Sequence, residues 1–141
     1  MSYQIQEMNI KDYDEVLALW QASEGVRLSK SDARESIARC LEQNPGLSFV
    51  VRAGDQIVGA VLCTQDGRQG YLNHLVVDPD HRRQGLGRSL VGRCLYALMR
   101  MGIQKCNLFI LEENETGMAF WRNVEWAERV DMLMLSPRPV K

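Results

Sequence analysis

The segment Leu72-Asn73-His74-Leu75-Val76-Val77-Asp78-Pro79-Asp80-His81-Arg82-Arg83-Gln84-Gly85-Leu86-Gly87-Arg88 constrains the fold more than any other. Its first half is a β-branched apolar run that must stop at Pro79. Its second half opens a new period, with Leu86, Leu90, Cys94, Leu98 and Met101 recurring at helical spacing until Gly102 supplies a stop. A strand therefore breaks into a short Arg/Gly turn that opens directly into an amphipathic helix. A helix start leaves about four backbone N–H groups without intrahelical partners and carries partial positive charge, so it suits phosphate oxygens. Gly85 and Gly87 let the backbone approach a ligand closely, and Arg82, Arg83 and Arg88 add fixed charge. The bland alternative for the turn alone is a solvated loop; the strand before it and the helix after it favour a phosphate site. Neither the Gly-Lys-Ser/Thr of a P-loop nor the third glycine of a dinucleotide fingerprint is present, since position 90 is Leu.

The remaining elements follow from period and punctuation. Tyr3 to Met8 alternates like a short strand. Asp12 can cap a helix bearing Val16, Leu17, Leu19 and Trp20, and Ser31 can cap a second through about Gln43. Ser48 to Arg52, Gln56 to Thr64 and Tyr71 to Val77 read as strands, joined as hairpins by Ala53-Gly54-Asp55 and Asp66-Gly67. Lys105 to Leu111 is a further strand, Glu115 to Asn123 a short helix, and about Glu128 to Leu135 a last strand. The order β-α-α-β-β-β-α-β-α-β predicts a mixed α/β sheet with helices on both faces. The helix after Pro79 makes the strands it joins parallel neighbours, and the other pairs are antiparallel.

The 141 residues, 45% of them hydrophobic, suit one domain over 1–141. With 17 Lys plus Arg against 18 Asp plus Glu, the net charge of −1 predicts no nucleic-acid partner. No apolar run reaches the roughly 18 residues of a membrane span, and the start lacks a leader pattern, so a cytoplasmic location and no membrane partner are expected. Cys40, Cys63, Cys94 and Cys106 form no close pair and read as reduced, mostly buried thiols. A His74/His81 metal site lacks a third ligand, so no metal is expected.

Arg82, Gly85 and Gly87 fit the pattern Arg/Gln-x-x-Gly-x-Gly/Ala, and Leu75-Val76-Val77-Asp78-Pro79 precedes it. In these residues, and in element order over nearly the whole chain, the sequence resembles the GNAT superfamily of acetyl-CoA-dependent N-acetyltransferases. The resemblance implies acetyl-CoA as acyl donor. The strand ending at Val77 would splay from its parallel neighbour to admit pantetheine against Leu75, Val76 and Val77. Arg82, Arg83, Gln84, Gly85, Leu86, Gly87 and Arg88 would hold the pyrophosphate. Asn114 and Trp121 would complete the cofactor site, since Asn114 to Trp126 is similar to a later family motif. There Trp121 stands in place of a Tyr that often protonates the departing thiolate, a role an indole N–H is too weak an acid to fill. Glu125 stands where the family usually has Gly, which predicts a changed turn.

The reaction so implied is direct attack of an unprotonated primary amine, on a small molecule or peptide, in a ternary complex, with the amide near Val77 polarising the acyl carbonyl. A base must take the ammonium proton. Tyr71, Asn73 and His74 lie beside the expected thioester and Glu112 and Glu113 at the mouth of the next strand; His74 is preferred, against a reading of it as an outward or packed side chain. The acceptor is expected between Gln21 and Lys30 and near Met132 to Arg138, where Glu24 can attract a cation and Arg27 an anion unless both are plain surface. Trp20 reads as core, and His81 as a surface loop residue. Met132 to Leu135 make an apolar stretch through which a homodimer can form. The rival readings are a non-catalytic acyl-CoA-binding module and, more remotely, an unrelated nucleotide-binding domain.

Overall fold

A computed structural model of the chain describes residues 2–137. The elements are β1 (Tyr3–Glu7), α1 (Tyr13–Ala22), α2 (Arg34–Gln43), β2 (Phe49–Ala53), β3 (Gln56–Gln65), β4 (Gln69–Val77), α3 (Leu86–Arg100), β5 (Lys105–Leu108) and α4 (Glu115–Asn123). The five strands lie in one sheet in chain order. The first three pairings are antiparallel, and β4 pairs with β5 in parallel, as a crossover through α3 requires. This is the mixed α/β sheet that the periodicity predicts.

Because successive strand residues point to opposite faces, the sheet carries two cores. On one face Val58, Val61, Cys63 and Leu72 pack with Leu90, Cys94 and Leu98, the four-residue stripe of α3. On the other, Val50, Ile57, Ala60, Leu62 and Val76 pack with Val16, Trp20 and Ile37 of α1 and α2. Full burial of each such aliphatic side chain contributes about 1.5–3 kcal/mol, so the helices are held by these stripes more than by their own propensity. No helix among the described residues is long and apolar enough to cross a membrane.

Local differences from the sequence reading have identifiable causes. Asp12 stands at the N-cap of α1 but its side chain makes no capping bond there, and α2 starts after Ala33 rather than from a cap at Ser31. Instead Asn9 and Ser29 each cap a single 3-10 turn just upstream, in which Asp12 and Asp32 accept from the backbone N–H of the capping residue. The strand expected over Lys105 to Leu111 stops at Leu108. The strand expected over about Glu128 to Leu135 does not form among the described residues; that stretch is irregular, and Val130, Met132, Leu133, Met134 and Leu135 are exposed. Its apolar run, the basis for expecting a homodimer, therefore lies on the surface.

The turn at Glu125 is not changed. Glu125 itself adopts φ 70°, the left-handed conformation that glycine takes at such positions. Its N–H donates to the Arg122 carbonyl, the Trp126 N–H donates to the Trp121 carbonyl, and the Trp126 and Trp121 rings pack 4.9 Å apart. This is a Schellman C-cap with its hydrophobic contact. The same motif ends α3 with Gly102 at φ 81° and buried Ile103. An L-residue in this conformation costs roughly 1–2 kcal/mol, and glycine's extra freedom when unfolded offsets about half of that. Glu125→Gly is therefore expected to raise stability by about 0.5–1 kcal/mol, seen as a higher urea midpoint with an unchanged slope.

Candidate active site

The site begins where β4 loses a neighbour. The β4–β5 ladder runs only from Gln69↔Lys105 to Leu72↔Leu108, whereas β4 stays paired with β3 as far as Gly59↔Val77. From Asn73 to Val77 one edge of β4 thus has no strand beside it. On the other edge Ala60 pairs with Val76 and Leu62 with Asn73, so Val61 faces two residues, His74 and Leu75. This is a β-bulge, and His74 sits in it at φ 53°. Among the described residues only His74, Arg83 and Glu125 are non-glycine with positive φ. Two of the three line the cavity described next.

Beyond Val77 the chain makes a 3-10 turn, Pro79–His81, capped by Asp78, and reaches the start of α3. Gly85 takes the N-cap position at φ 75° and no side chain caps the helix. The backbone N–H groups of Arg83, Gln84, Gly85, Leu86, Gly87 and Arg88 find no acceptor among the described residues. Arg82 Nε donates to the Val77 carbonyl at 3.2 Å, which ties the turn to the open end of β4. Arg83 and Arg88 make no ion pair among the described residues. A cluster of unspent donors beside unpaired guanidinium groups fits a pyrophosphate.

A cavity of about 840 Å³ runs along the open edge of β4 to this helix start. It is lined by Leu75, Val76, Val77, Arg82, Arg83, Gly85, Leu86, Gly87, Arg88, Asn114 and Trp121, so of the expected cofactor residues only Gln84 stays off the wall. Of the candidate bases, Asn73 and His74 line it, while Tyr71, Glu112 and Glu113 do not. Glu113 instead pairs with Arg27 at 3.0 Å on the surface. Residues 22–27 line the cavity as expected of an acceptor loop, but 132–137 do not, and Arg138 lies outside the described residues. The loop lies close against the start of α4: a Cβ on Gly25 would lie 2.6 Å from Asn114 Nδ2, and Asn114 Oδ1 accepts from Gly117 N–H. Trp121 is buried between Phe120 and Trp126 and belongs to the α3-side core as well as to the cavity wall.

His74 is held from the side of the α1–α2 loop. Its Nε2 lies 2.8 Å from Oδ1 of Asp32, and the Trp20 ring meets it edge-on at 5.0 Å. Asp32 is buried; its Oδ2 accepts from Ser29 N–H, and its backbone carbonyl accepts from Tyr13 Oη–H at 2.6 Å. Sequence reasoning did not single out Asp32, because a capping aspartate on a loop gives no sign of which strand it will meet. His81 is a partly buried residue rather than free surface, 3.0 Å from the Tyr3 hydroxyl.

A strand opened on one edge and an uncapped helix start on the wall of the same cavity define an acyl-CoA acyltransferase fold. The chain matches the model of the acetyltransferase (GNAT) family over residues 13–125; it belongs to that family and is an acetyltransferase. It is 31% identical over 127 residues to an acetyltransferase of Yersinia pestis strain Pestoides F, covering 90% of this chain and 89% of the relative. The PaiA N-acetyltransferase of Thermoplasma acidophilum, solved in complex with coenzyme A, superposes with a TM-score of 0.76 at 16% identity, over 88% of this chain and 89% of that one. The structure of AAC(6')-Iy with the bisubstrate analogue CoA-S-monomethyl-acetylneamine gives 0.78 at 17% identity, over 98% and 99%. The likeness to solved structures is one of fold.

None of the four cysteines lines the cavity. Cys63 and Cys94 are buried and Cys40 and Cys106 half-buried. Burial, with Cys63 adding a smaller effect, pushes the Cys106 thiol up to about 12. A hydrogen bond with Cys63 and burial push Cys94 up, and burial pushes Cys40 up. Each shift favours the protonated thiol, so thiolate at Cys106 accumulates only as pH rises toward that value. Iodoacetamide at pH 8 is accordingly expected to modify the native protein on the order of a hundredfold more slowly than the urea-unfolded chain, by mass spectrometry of each thiol.

Proposed function

We propose that the protein transfers the acetyl group of acetyl-CoA directly to a primary amine. The observation that carries this reading is the uncapped start of α3, with its row of unspent N–H donors, meeting the unpaired edge of β4 in one cavity. Acetyl-CoA supplies the acetyl group, activated as a thioester. The N–H groups of residues 83–88 with Arg83 and Arg88 hold its pyrophosphate, and the free edge at Leu75, Val76 and Val77 takes the amides of its pantetheine arm as a strand would. No thiol stands in the cavity wall among the described residues, which supports direct transfer over an acyl-enzyme relay.

The acceptor enters on the side of residues 22–27, where Glu24 favours a cationic amine and the Arg27–Glu113 pair closes the rim. His74 lines the wall nearest that loop and takes the proton the amine must lose. Trp121 has no acid function to contribute and acts by packing. The amine itself, a small molecule or the end of a peptide, belongs to the same proposal.

Acetyl-CoA and desulfo-CoA at about a hundred times Kd are each expected to add about 2.7 kcal/mol of stability, read as a rise in Tm. Gly87→Val abolishes this rise: Gly87 and Phe120 both line the cavity, and a Cβ at Gly87 already lies 3.1 Å from the Phe120 ring, so a larger side chain crowds the wall proposed to hold the pyrophosphate. Wild-type protein that is folded by circular dichroism yet indifferent to both ligands overturns the reading. So does failure to release CoA thiol with every member of a broad amine panel. Trp121→Phe is expected to keep kcat within about tenfold, since no proton donor is lost, whereas a fall beyond about a hundredfold with intact CoA affinity assigns the indole N–H a transition-state contact.

A further inference from the structure

The fold contains the same turn twice, and the difference between the copies is informative. In Asn9-Ile10-Lys11-Asp12 and in Ser29-Lys30-Ser31-Asp32, the last residue uses Oδ2 to accept from the first residue's backbone N–H, closing a capping box at 3.0 Å. That bond satisfies the turn and leaves Oδ1 to spare. Asp12 Oδ1 takes Arg52 at 2.8 Å, an ion pair between strand and helix start whose residues do not line the cavity. Asp32 Oδ1 takes His74 Nε2 at the same 2.8 Å, and His74 does line it. Asp32, only 8% exposed, has no Lys or Arg partner among the described residues.

From this juxtaposition we propose that Asp32 is the positioning residue of a carboxylate–imidazole pair that makes His74 the general base of acetyl transfer. The proposal rests on the reading of the protein as an amine acetyltransferase. A carboxylate only accepts hydrogen bonds, so His74 must place its hydrogen on Nε2, and the neutral ring then keeps its lone pair on Nδ1. Among the described residues Nδ1 has no partner. The orientation is fixed three times over. Asp32 is held by Ser29 N–H and, through its carbonyl, by the Tyr13 hydroxyl; Trp20 braces the ring edge-on; and the bulge in β4 holds the His74 backbone at φ 53°. A conformation this unfavourable persists only where the surroundings over-determine it.

In the step so served, the amine nitrogen forms the new C–N bond and gives one proton to Nδ1, directly or through one water. The C–S bond breaks, the sulfur leaves as thiolate and takes a proton from solvent, and the imidazolium returns its proton to solvent. Asp32 touches no reacting atom. Because Asp32 sits on the loop between α1 and α2, whose earlier residues line the acceptor side, the base and the acceptor wall are one construction.

The test is a double-mutant cycle on the full chain with the best amine from the panel, together with nitrogen-15 spectra of the two histidine rings. Asp32→Asn is expected to lower kcat by about a hundredfold or more, with KM for acetyl-CoA changed by no more than about twofold. His74→Ala gives a similar loss, and adding Asp32→Asn to it costs nothing further, because Asp32 acts only through His74. Asp12→Asn lowers Tm but leaves kcat unchanged. In the wild-type spectrum His74 carries its hydrogen on Nε2 and not on Nδ1, and Asp32→Asn mixes the tautomers. An equal loss from Asp32→Asn with and without His74 overturns the proposal, since the aspartate would then be only a cap. A neutral His74 protonated on Nδ1 overturns it too, and this arm decides if Asp32→Asn does not fold. A wild-type chain that acetylates no amine refutes the transferase reading, while the spectrum still decides the pair.

Discussion

Everything at the site depends on β4 being unable to keep both neighbours. A strand with one edge bare inside a protein leaves backbone N–H and C=O groups unsatisfied, at about 1–3 kcal/mol for each one that water cannot reach. The β4–β5 ladder ends at Leu72↔Leu108, so the edge from Asn73 onward must meet solvent or a ligand. The split is stable because the other edge of β4 is fully employed: β3 pairs with it to Val77, and Leu72 and Val76 anchor it in opposite cores. The cavity is therefore the consequence of a strand fastened on three sides and left open on the fourth.

The same fastening explains where backbone strain is tolerated. His74 and Arg83 each hold a left-handed conformation that costs a residue with a side chain roughly 1–2 kcal/mol. His74 lies between two core residues of its own strand, and Arg83 sits just before the Gly85-Leu86 entry to α3, where Leu86 is buried. Hydrophobic burial on both faces of the sheet is large enough to absorb these costs, and it turns a strained bulge and turn into fixed positions for an imidazole and a row of N–H donors.

The two halves of the cavity are built from different materials. At the start of α3 the groups are mostly main chain, which any sequence supplies once the helix start is uncapped and the glycines are in place. Solved structures with under 20% identity share the overall fold at TM-scores of 0.76 and 0.78. The wall toward the α1–α2 loop is made of side chains from separate elements: Glu24 and Arg27 from that loop, Asn114 from the entry to α4, His74 from β4, with Glu113 outside the wall paired to Arg27. Its chemistry depends on how those elements meet.

The sequence by itself determined whatever is local. The run ending at Pro79, the glycines of the turn and the four-residue stripe of α3 specify strand, loop and helix, because each rests on dihedral preferences and periodicity within a few residues. The parallel pairing of β4 and β5 followed from the crossover alone. Tertiary structure decided the rest. The bulge that turns His74, the meeting of Asp32 with it across 42 residues, and the choice of Arg52 for one capping aspartate and His74 for the other are long-range packing outcomes without a local signature. The left-handed Glu125 and the irregular course of 128–135 likewise ran against local expectation. A helix cap can hold Glu in glycine's conformation when the Trp121–Trp126 contact anchors it, and an apolar run becomes a strand only where a sheet edge receives it.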